Sequence, residues 1–420
     1  MTSTPSPDPR LIFSLLVKPA GADCNLDCRY CFYRDKGQLY PGSHLRMSTE
    51  VLETYIRQFL ACQEAIEACI AWQGGEPTLM GLDFFRHAVE LVEKHKRACQ
   101  RVTYSLQTNG ILLDRTWCAF FKEHDFLIGL SMDGPQEMHD AFRLDMGGQG
   151  TYQQVKRSWD LLQESEVDTN ILCALHAANA GHPLEVYRFF RDELQAKYIQ
   201  FIPIVEKLLP EIDSAALSSS RTLHEKKQLF IQEANLVSPR SIEPEQYGHF
   251  LMEVFDEWVQ RDVGKVFVQI FDSALAAWCH MPANVCTFQE TCGQSLVLEH
   301  NGDLYSCDHF VEPAYRLGNI LETTLRDLVA SQRQSQFGLD KRNKLPVYCQ
   351  TCEVEFACRG GCPRNRFIET PRGKIGLNYL CVGYRLFFQH VDRPMRIMAI
   401  LLHQGRAPAE IMGRKEISKR

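Results

Sequence analysis

The stretch "CNLDCRYCFY" (24–33) places Cys24, Cys28 and Cys31 on one short segment directly after an apolar run near the start of the chain. No fourth Cys or His stands close by to complete a structural zinc site. Three thiolates on a compact loop suit three corners of a cubane iron–sulfur cluster, leaving the fourth iron open to a ligand that is not protein. Taken alone, the loop also fits an incomplete zinc site or a redox loop.

Around it the first half of the chain repeats a strand-then-helix rhythm. Strand-like runs are "LIFSLLV" (11–17), "AIEACIAW" (65–72), "RVTYSLQ" (101–107), "FLIGLSM" (126–132), "DTNILCAL" (168–175) and "YIQFIPIV" (198–205). Helical patterns fall between them, such as "STEVLETYIRQFLACQ" (48–63), with Ser48 or Thr49 as N-cap, and "LDFFRHAVELVEKHKRAC" (82–99). Such units imply a parallel sheet covered by helices, either a partial barrel or an open doubly wound sheet. In both, the loops after the strands share one rim, where ligands bind. The cysteine loop, "QGGEP" (73–77), "QTNG" (107–110) and "SMDG" (131–134) would all lie there.

The chain carries 17 cysteines in 420 residues, and its start, "MTSTPSPDPR", has no secretion signal and reads as a disordered lead-in. Clustered cysteines in a reducing, cytoplasmic setting point to metal or cofactor ligands rather than disulfides. A net charge of -6 argues against a nucleic-acid binder, and no apolar run is long enough to predict a membrane span. Cys62, Cys69, Cys99, Cys118, Cys173 and Cys279 read as core residues.

The others gather near the C-terminal end. Cys286 and Cys292 precede a hairpin, "SLVLEHNGDLYSCD" (295–308), in which Asn301-Gly302 predicts a type I′ turn and Cys307 closes the second strand. Cys349, Cys352, Cys358, Cys362 and Cys381 follow. Eight ligands make two four-thiolate sites, and Gly360 and Gly361 would let the backbone approach one closely. The spacing also admits two zinc knuckles.

The cysteine loop, with Tyr30 before its third cysteine, and "GGEP" (74–77) resemble the signatures of radical S-adenosylmethionine (SAM) enzymes. The resemblance implies a partial (β/α)6 TIM-like barrel and a [4Fe–4S] cluster on Cys24, Cys28 and Cys31 whose open iron is chelated by SAM. It also implies that Gly74, Gly75 and Glu76 contact the methionyl amino group, that Ser131 and Arg143 lie near the carboxylate, and that Ile204 lies near the adenine. The C-terminal cysteines resemble a SPASM extension carrying two auxiliary [4Fe–4S] clusters. That pattern assigns Cys286, Cys292, Cys307 and Cys362 to one cluster, and Cys349, Cys352, Cys358 and Cys381 to the other.

Within that group the chain, from residue 11 to about 384, is similar to anaerobic sulfatase-maturating enzymes. "WQGGEPTL", "LQTNG", "SMDGP", "HDAFR" and above all "CGQSLVLEHNGDLYSCDHF" (292–310) carry the likeness. It implies oxidation of Cys or Ser in an unfolded Cys/Ser-x-Pro-x-Arg segment of a sulfatase to Cα-formylglycine. Asp308 would be the base, and a flavodoxin- or ferredoxin-type protein the electron donor. Tyr33, Gln73 and Gln107, at strand ends, are candidates for holding the substrate backbone.

The expected organisation is a lead-in (1–10), the barrel (11–240), a linking helical segment (241–280), the SPASM domain with a β-hairpin and C-terminal helix (281–384), and a helix with a basic tail (385–420). Residues 207–243 read as a surface insertion. A SPASM enzyme that crosslinks ribosomal peptides is the alternative, although such enzymes often carry a leader-binding domain and no spare N-terminal segment is expected to be long enough to hold one. A non-enzymatic iron–sulfur carrier would have no use for an open-iron site.

Overall fold

All six apolar runs form strands: β1 (Ser14–Lys18), β2 (Glu67–Trp72), β3 (Arg101–Thr108), β4 (Phe126–Ser131), β5 (Thr169–Leu175) and β6 (Tyr198–Pro203). Later strands are β7 (Phe267–Val268), β8 (Ser295–Glu299), β9 (Asp303–Tyr305) and β10 (Arg316–Asn319). Between the early strands lie α1 (Thr49–Cys62), α2 (Leu82–His95), α3 (Arg115–Glu123), α4 (Gln136–Asp140) and α5 (Tyr152–Glu164). Ser48 is the cap of α1, its Oγ accepting from the Val51 amide at 3.2 Å, which satisfies a donor that the first turn leaves unpaired. Val51, Leu52, Tyr55, Ile56, Phe59 and Leu60 then recur at helical spacing and bury one face.

The computed structural model describes residues 12–42, 44–207 and 237–413. The lead-in, most of the 207–243 insertion and the basic tail beyond 413 lie outside the described residues. The chain divides into two compact units. The first comprises the described residues up to Cys173, with Ala196–Gln200 and Glu290–Asn343; the second comprises Ala174–Gln195, the described part of 201–289, and the residues from Lys344 on.

In the first unit β1 to β5 are parallel neighbours in chain order. A doubly wound sheet reverses its strand order at a switch point; here each connection steps the same way, as in a barrel wall. The two faces agree with this. Ala68, Ile70, Trp72, Tyr104, Leu106 and Ile128 are buried under the helices, whereas Cys69, Ser105, Gln107 and Ser131 on the opposite face retain exposure. Trp72 packs edge-on against Tyr55 of α1 and Phe85 of α2, at 6.0 and 5.6 Å between ring centres.

On the other side of β1 the late hairpin joins the same sheet. β8 runs parallel to β1, with Lys18 opposite Glu299, and β9 and β10 follow antiparallel. The first unit thus contains residues 290–343, expected above in a separate domain. The hairpin turn also differs from expectation. The Gly302 amide donates to the Glu299 carbonyl at 2.9 Å, and within the Asn301-Gly302 pair Gly302 alone has positive φ, 90°. A type I′ turn needs positive φ at both central residues; this is a three-residue loop whose last position is left-handed. The Asn301 side chain, accepting from the Asp303 amide at 3.1 Å, favours it.

In the second unit the helix Pro244–Arg261 lies against the helix Cys381–His403. Gly248 and Gly383 permit the approach, since a Cβ on Gly248 would stand 2.9 Å from the Gly383 Cα. The later helix begins at Cys381, ahead of the start at 385 expected above. Of the six cysteines read as core, Cys62, Cys118 and Cys173 are buried. Cys279 is half-buried, and Cys69 and Cys99 are exposed, Cys69 on the open face of β2 and Cys99 in the connection to β3.

Candidate active site

The cysteine loop follows β1 and is stitched to its neighbours by backbone bonds. From the loop after β2, the Gly75 amide donates to the Gly21 carbonyl and the Glu76 amide to the Asp23 carbonyl, each at 2.8 Å. A Cβ on Gly75 would overlap the Asp23 carbonyl, so this approach requires glycine. From the loop after β4, the Phe142 and Leu144 carbonyls accept from the Arg29 and Asp27 amides at 2.9 and 2.8 Å. Glu76 is fully buried. Its Oε1 accepts from the Thr78 amide at 3.0 Å, the Thr78 hydroxyl at 2.6 Å and the Thr108 hydroxyl at 2.8 Å, and its Oε2 from the Asn109 amide at 2.8 Å. It latches the end of β3 to the loop after β2, although burial raises its carboxyl above the ordinary range.

The three thiols sit in this frame. Cys24 Sγ accepts from the Leu26 amide at 3.4 Å and lies 3.7 Å from Asn109 Nδ2. Burial pushes Cys24 up to about 12 and Cys28 up to about 11, and the neighbouring thiols add to both. Cys28 and Cys31 raise Cys24, and Cys31 raises Cys28, a packing that favours a cationic centre among the thiols. Among the described residues no three Cys, His, Asp or Glu side chains converge on a point that could hold a single metal ion. Three neighbouring thiols on one loop would suit a cluster with one thiolate per iron.

Tyr30 and Arg143 meet behind the loop. The buried Tyr30 hydroxyl donates to Asp133 Oδ2 at 2.5 Å, Arg143 Nε donates to the same oxygen at 2.9 Å, and the guanidinium stands 5.6 Å from the Tyr30 ring centre. The charge of Arg143 also lowers Cys28, against the effect of burial. Ser131 Oγ accepts from Gln107 Nε2 at 2.9 Å on the open face of the sheet. Ile204 belongs to the second unit, where its amide donates to the Leu175 carbonyl at 2.8 Å.

Asp308 reaches the rim through the pairing of β8 with β1. Its Oδ1 lies 2.5 Å from Lys18 Nζ, in an ion pair whose side chains are 15% and 1% exposed respectively. Lys18 also donates to Gln73 Oε1 at 3.2 Å and stands 4.2 Å from the Tyr33 ring centre. The Tyr33 hydroxyl donates to the buried Glu299. Of the residues expected to hold substrate, Gln73 and Tyr33 gather around Lys18 with Asp308, while Gln107 pairs with Ser131. Close by, the buried Gln334 donates to the Gly293 carbonyl at 2.9 Å and the Ser306 carbonyl at 3.3 Å, tying together the segments that carry Cys292 and Cys307.

In the second unit Cys349, Cys352, Cys358 and Cys381 line one cavity. Burial, with the neighbouring thiols, pushes Cys358 and Cys381 up to about 12. Arg359, Gly360 and Gly361 take positive φ in succession, and Gly360 lines that cavity. Cys286 and Cys362 also belong to the second unit, and Cys292 and Cys307 to the first.

The chain matches the Radical SAM superfamily over residues 19–190 and the SPASM iron–sulfur cluster-binding domain over residues 286–353. It is 44% identical over 400 residues to a serine-type anaerobic sulfatase-maturating enzyme of Bacteroides thetaiotaomicron, covering 95% of this chain and 94% of that one. The chain belongs to the anaerobic sulfatase-maturating enzymes. Another of these maturases, the cysteine-type enzyme of Clostridium perfringens, is 35% identical over 381 residues, covering 90% and 95% of the two chains. A structure of native anSMEcpe with bound AdoMet and Cp18Cys peptide is 33% identical with a TM-score of 0.79, covering 92% of this chain and 99% of that one. As a radical SAM enzyme with a SPASM domain, the maturase uses SAM and three [4Fe–4S] clusters. Among the described residues no helix is long and apolar enough to cross a membrane.

Sequence reasoning missed Lys18, Asp133, Glu299 and Gln334. Lys18 was open to notice, since a charge at the last position of an apolar strand falls on the ligand-binding rim. Glu299 and Gln334 gave no such signal, because their roles depend on partners far away in sequence.

Proposed function

We propose that this maturase oxidises a cysteine or serine in a Cys/Ser-x-Pro-x-Arg segment of a sulfatase to Cα-formylglycine while that segment is unfolded or peptide-like. Family membership supports the reaction class, and the ion pair between Asp308 and Lys18 beside Gln73 and Tyr33 carries the proposal for the substrate site. When bound, SAM and the clusters would supply the radical chemistry: reductive cleavage of SAM to give a hydrogen-abstracting 5′-deoxyadenosyl group, and an acceptor for the electron that the substrate returns.

The protein's own work is positioning and proton transfer. Cys24, Cys28 and Cys31 hold the open-iron cluster. Gly74 and Gly75 present backbone to the methionyl amino group, Glu76 fixes that turn, and Tyr30, Ser131, Arg143 and Ile204 complete the SAM site. Cys286, Cys292, Cys307 and Cys362 hold one auxiliary cluster, and Cys349, Cys352, Cys358 and Cys381 the other. The target Cβ gives a hydrogen atom to form 5′-deoxyadenosine, and its thiol or hydroxyl gives a proton to Asp308. Serine then yields the aldehyde directly; cysteine yields a thioaldehyde that water hydrolyses with release of sulfide. Gln73 and Gln107 hold the peptide backbone, whereas Tyr33, expected above to share that role, is buried with its hydroxyl on Glu299 and supports Lys18 instead. A flavodoxin- or ferredoxin-type protein donates electrons in the cytoplasm, where so many thiolate ligands stay reduced.

The test is an anaerobic assay of reconstituted enzyme with SAM, dithionite and peptides carrying Cys or Ser in that motif. An aldehyde at the target residue, trapped by a hydrazine and matched by 5′-deoxyadenosine, is the expected result. Formation of 5′-deoxyadenosine with no aldehyde on either peptide refutes the reading.

A further inference from the structure

We infer that Lys18 is a positioning residue for Asp308: it holds one carboxylate oxygen and thereby turns the other toward the substrate's thiol or hydroxyl. The inference rests on the formylglycine reading and adds a residue to it. Lys18 ends β1 and is buried, 1% exposed, in a setting where a lysine is rarely found unpaired. Its partners are Asp308 Oδ1 at 2.5 Å, Gln73 Oε1 at 3.2 Å and the face of the Tyr33 ring at 4.2 Å. Oδ1 is itself buried, so the 15% exposure of the Asp308 side chain falls on its other atoms.

The geometry of this pairing is built into the fold. Lys18 stands opposite Glu299 in the β1–β8 register, and Glu299 accepts from the Tyr33 hydroxyl, which fixes the ring beneath the ammonium group. Asp308 follows the three-residue hairpin strand β9 and opens a short helical turn, Asp308–Phe310. One ammonium group thus ties together side chains after β1, after β2 and after β9. A displaced carboxylate loses proton transfer steeply, since a misplacement of about 1 Å can cost on the order of 10²-fold.

The experiment compares wild type, K18M, K18R, D308N and K18M/D308N for iron content, 5′-deoxyadenosine and formylglycine peptide on the same samples. K18M should retain iron and SAM cleavage while formylglycine per 5′-deoxyadenosine falls about 10²-fold, and K18R, which keeps the cation, should recover most of it. In the D308N background K18M should change nothing further, because a residue acting through Asp308 has no carboxylate left to position. The double variant removes both charges, so it remains informative if K18M alone fails to assemble its clusters. A wild-type product ratio in K18M, equal losses in K18R and K18M, or a further loss on adding K18M to D308N overturns the assignment. Wild type without formylglycine refutes the underlying reading instead.

Discussion

Asp308→Asn separates chemistry from architecture. The replacement keeps the size and hydrogen-bonding reach of the side chain but cannot take up a proton at neutral pH. Loss of a general base costs about 10²–10⁴-fold, equivalent to a barrier higher by about 3–5 kcal/mol. The structure adds a second consequence. Lys18, 1% exposed and 2.5 Å from Asp308, loses its counter-ion, and breaking a buried pair from one side destabilises by about 3–5 kcal/mol. Gln73 and the Tyr33 ring remain as partners for the ammonium group and reduce that loss. The variant should therefore melt at a lower temperature yet still cleave SAM, because the loops that carry Cys24, Cys28 and Gly75 are held by bonds that do not involve Asp308. The assay uses a peptide deuterated at Cβ and reads iron, 5′-deoxyadenosine, its deuterium content and formylglycine together. Label should still reach 5′-deoxyadenosine while aldehyde falls steeply. Full aldehyde yield refutes the base assignment and moves suspicion to His309.

Replacing Cys24, Cys28 and Cys31 together by alanine should remove about a third of the iron and all SAM cleavage, as iron analysis and 5′-deoxyadenosine assay will show. Gly75→Ala drives a Cβ into the Asp23 carbonyl, so it should abolish SAM binding and the first cluster while iron held by Cys349, Cys352, Cys358 and Cys381 persists; retained SAM binding by calorimetry counts against the stitched-loop account. Burial pushes the Asp272 carboxyl up to about 6 from its ordinary 3.8, so the folded state holds a proton that the unfolded chain has released. Stability then falls as pH rises from about 4 to about 6 and stays lower above that. Asp272→Asn should stabilise by at most about 3 kcal/mol at pH 8 and by nothing at pH 3, read as the difference in melting temperature between the two conditions.

The grouping of the cysteines and the strand-end loops were legible in the sequence because their signals are local. Three cysteines on one turn, a Gly-Gly-Glu-Pro turn after a strand, and alternating strand and helix patterns depend on neighbours within about one helical turn or strand. The same holds for Ser48 as a helix cap. The turn at Asn301-Gly302 was read as a turn and mistaken in type, since the dipeptide marks the reversal while loop length and the Asn301–Asp303 bond select its geometry.

What only the tertiary structure decided is how distant segments meet. Choosing a barrel wall over a doubly wound sheet required the strand order β1 to β5, which is set by which edges pair and not by any one strand's composition. Bringing Asp308 to Lys18 required β8 to add to the free edge of β1, a pairing across 281 residues in which Ser14 lies opposite Ser295. Strand edges are chemically alike, each a row of backbone donors and acceptors, so the sequence marks that a strand exists without marking its partner. The ion pair follows from that choice: neither Lys18 nor Asp308 carries a local sign of the other, and only the pairing of β8 with β1 brings the two charges together.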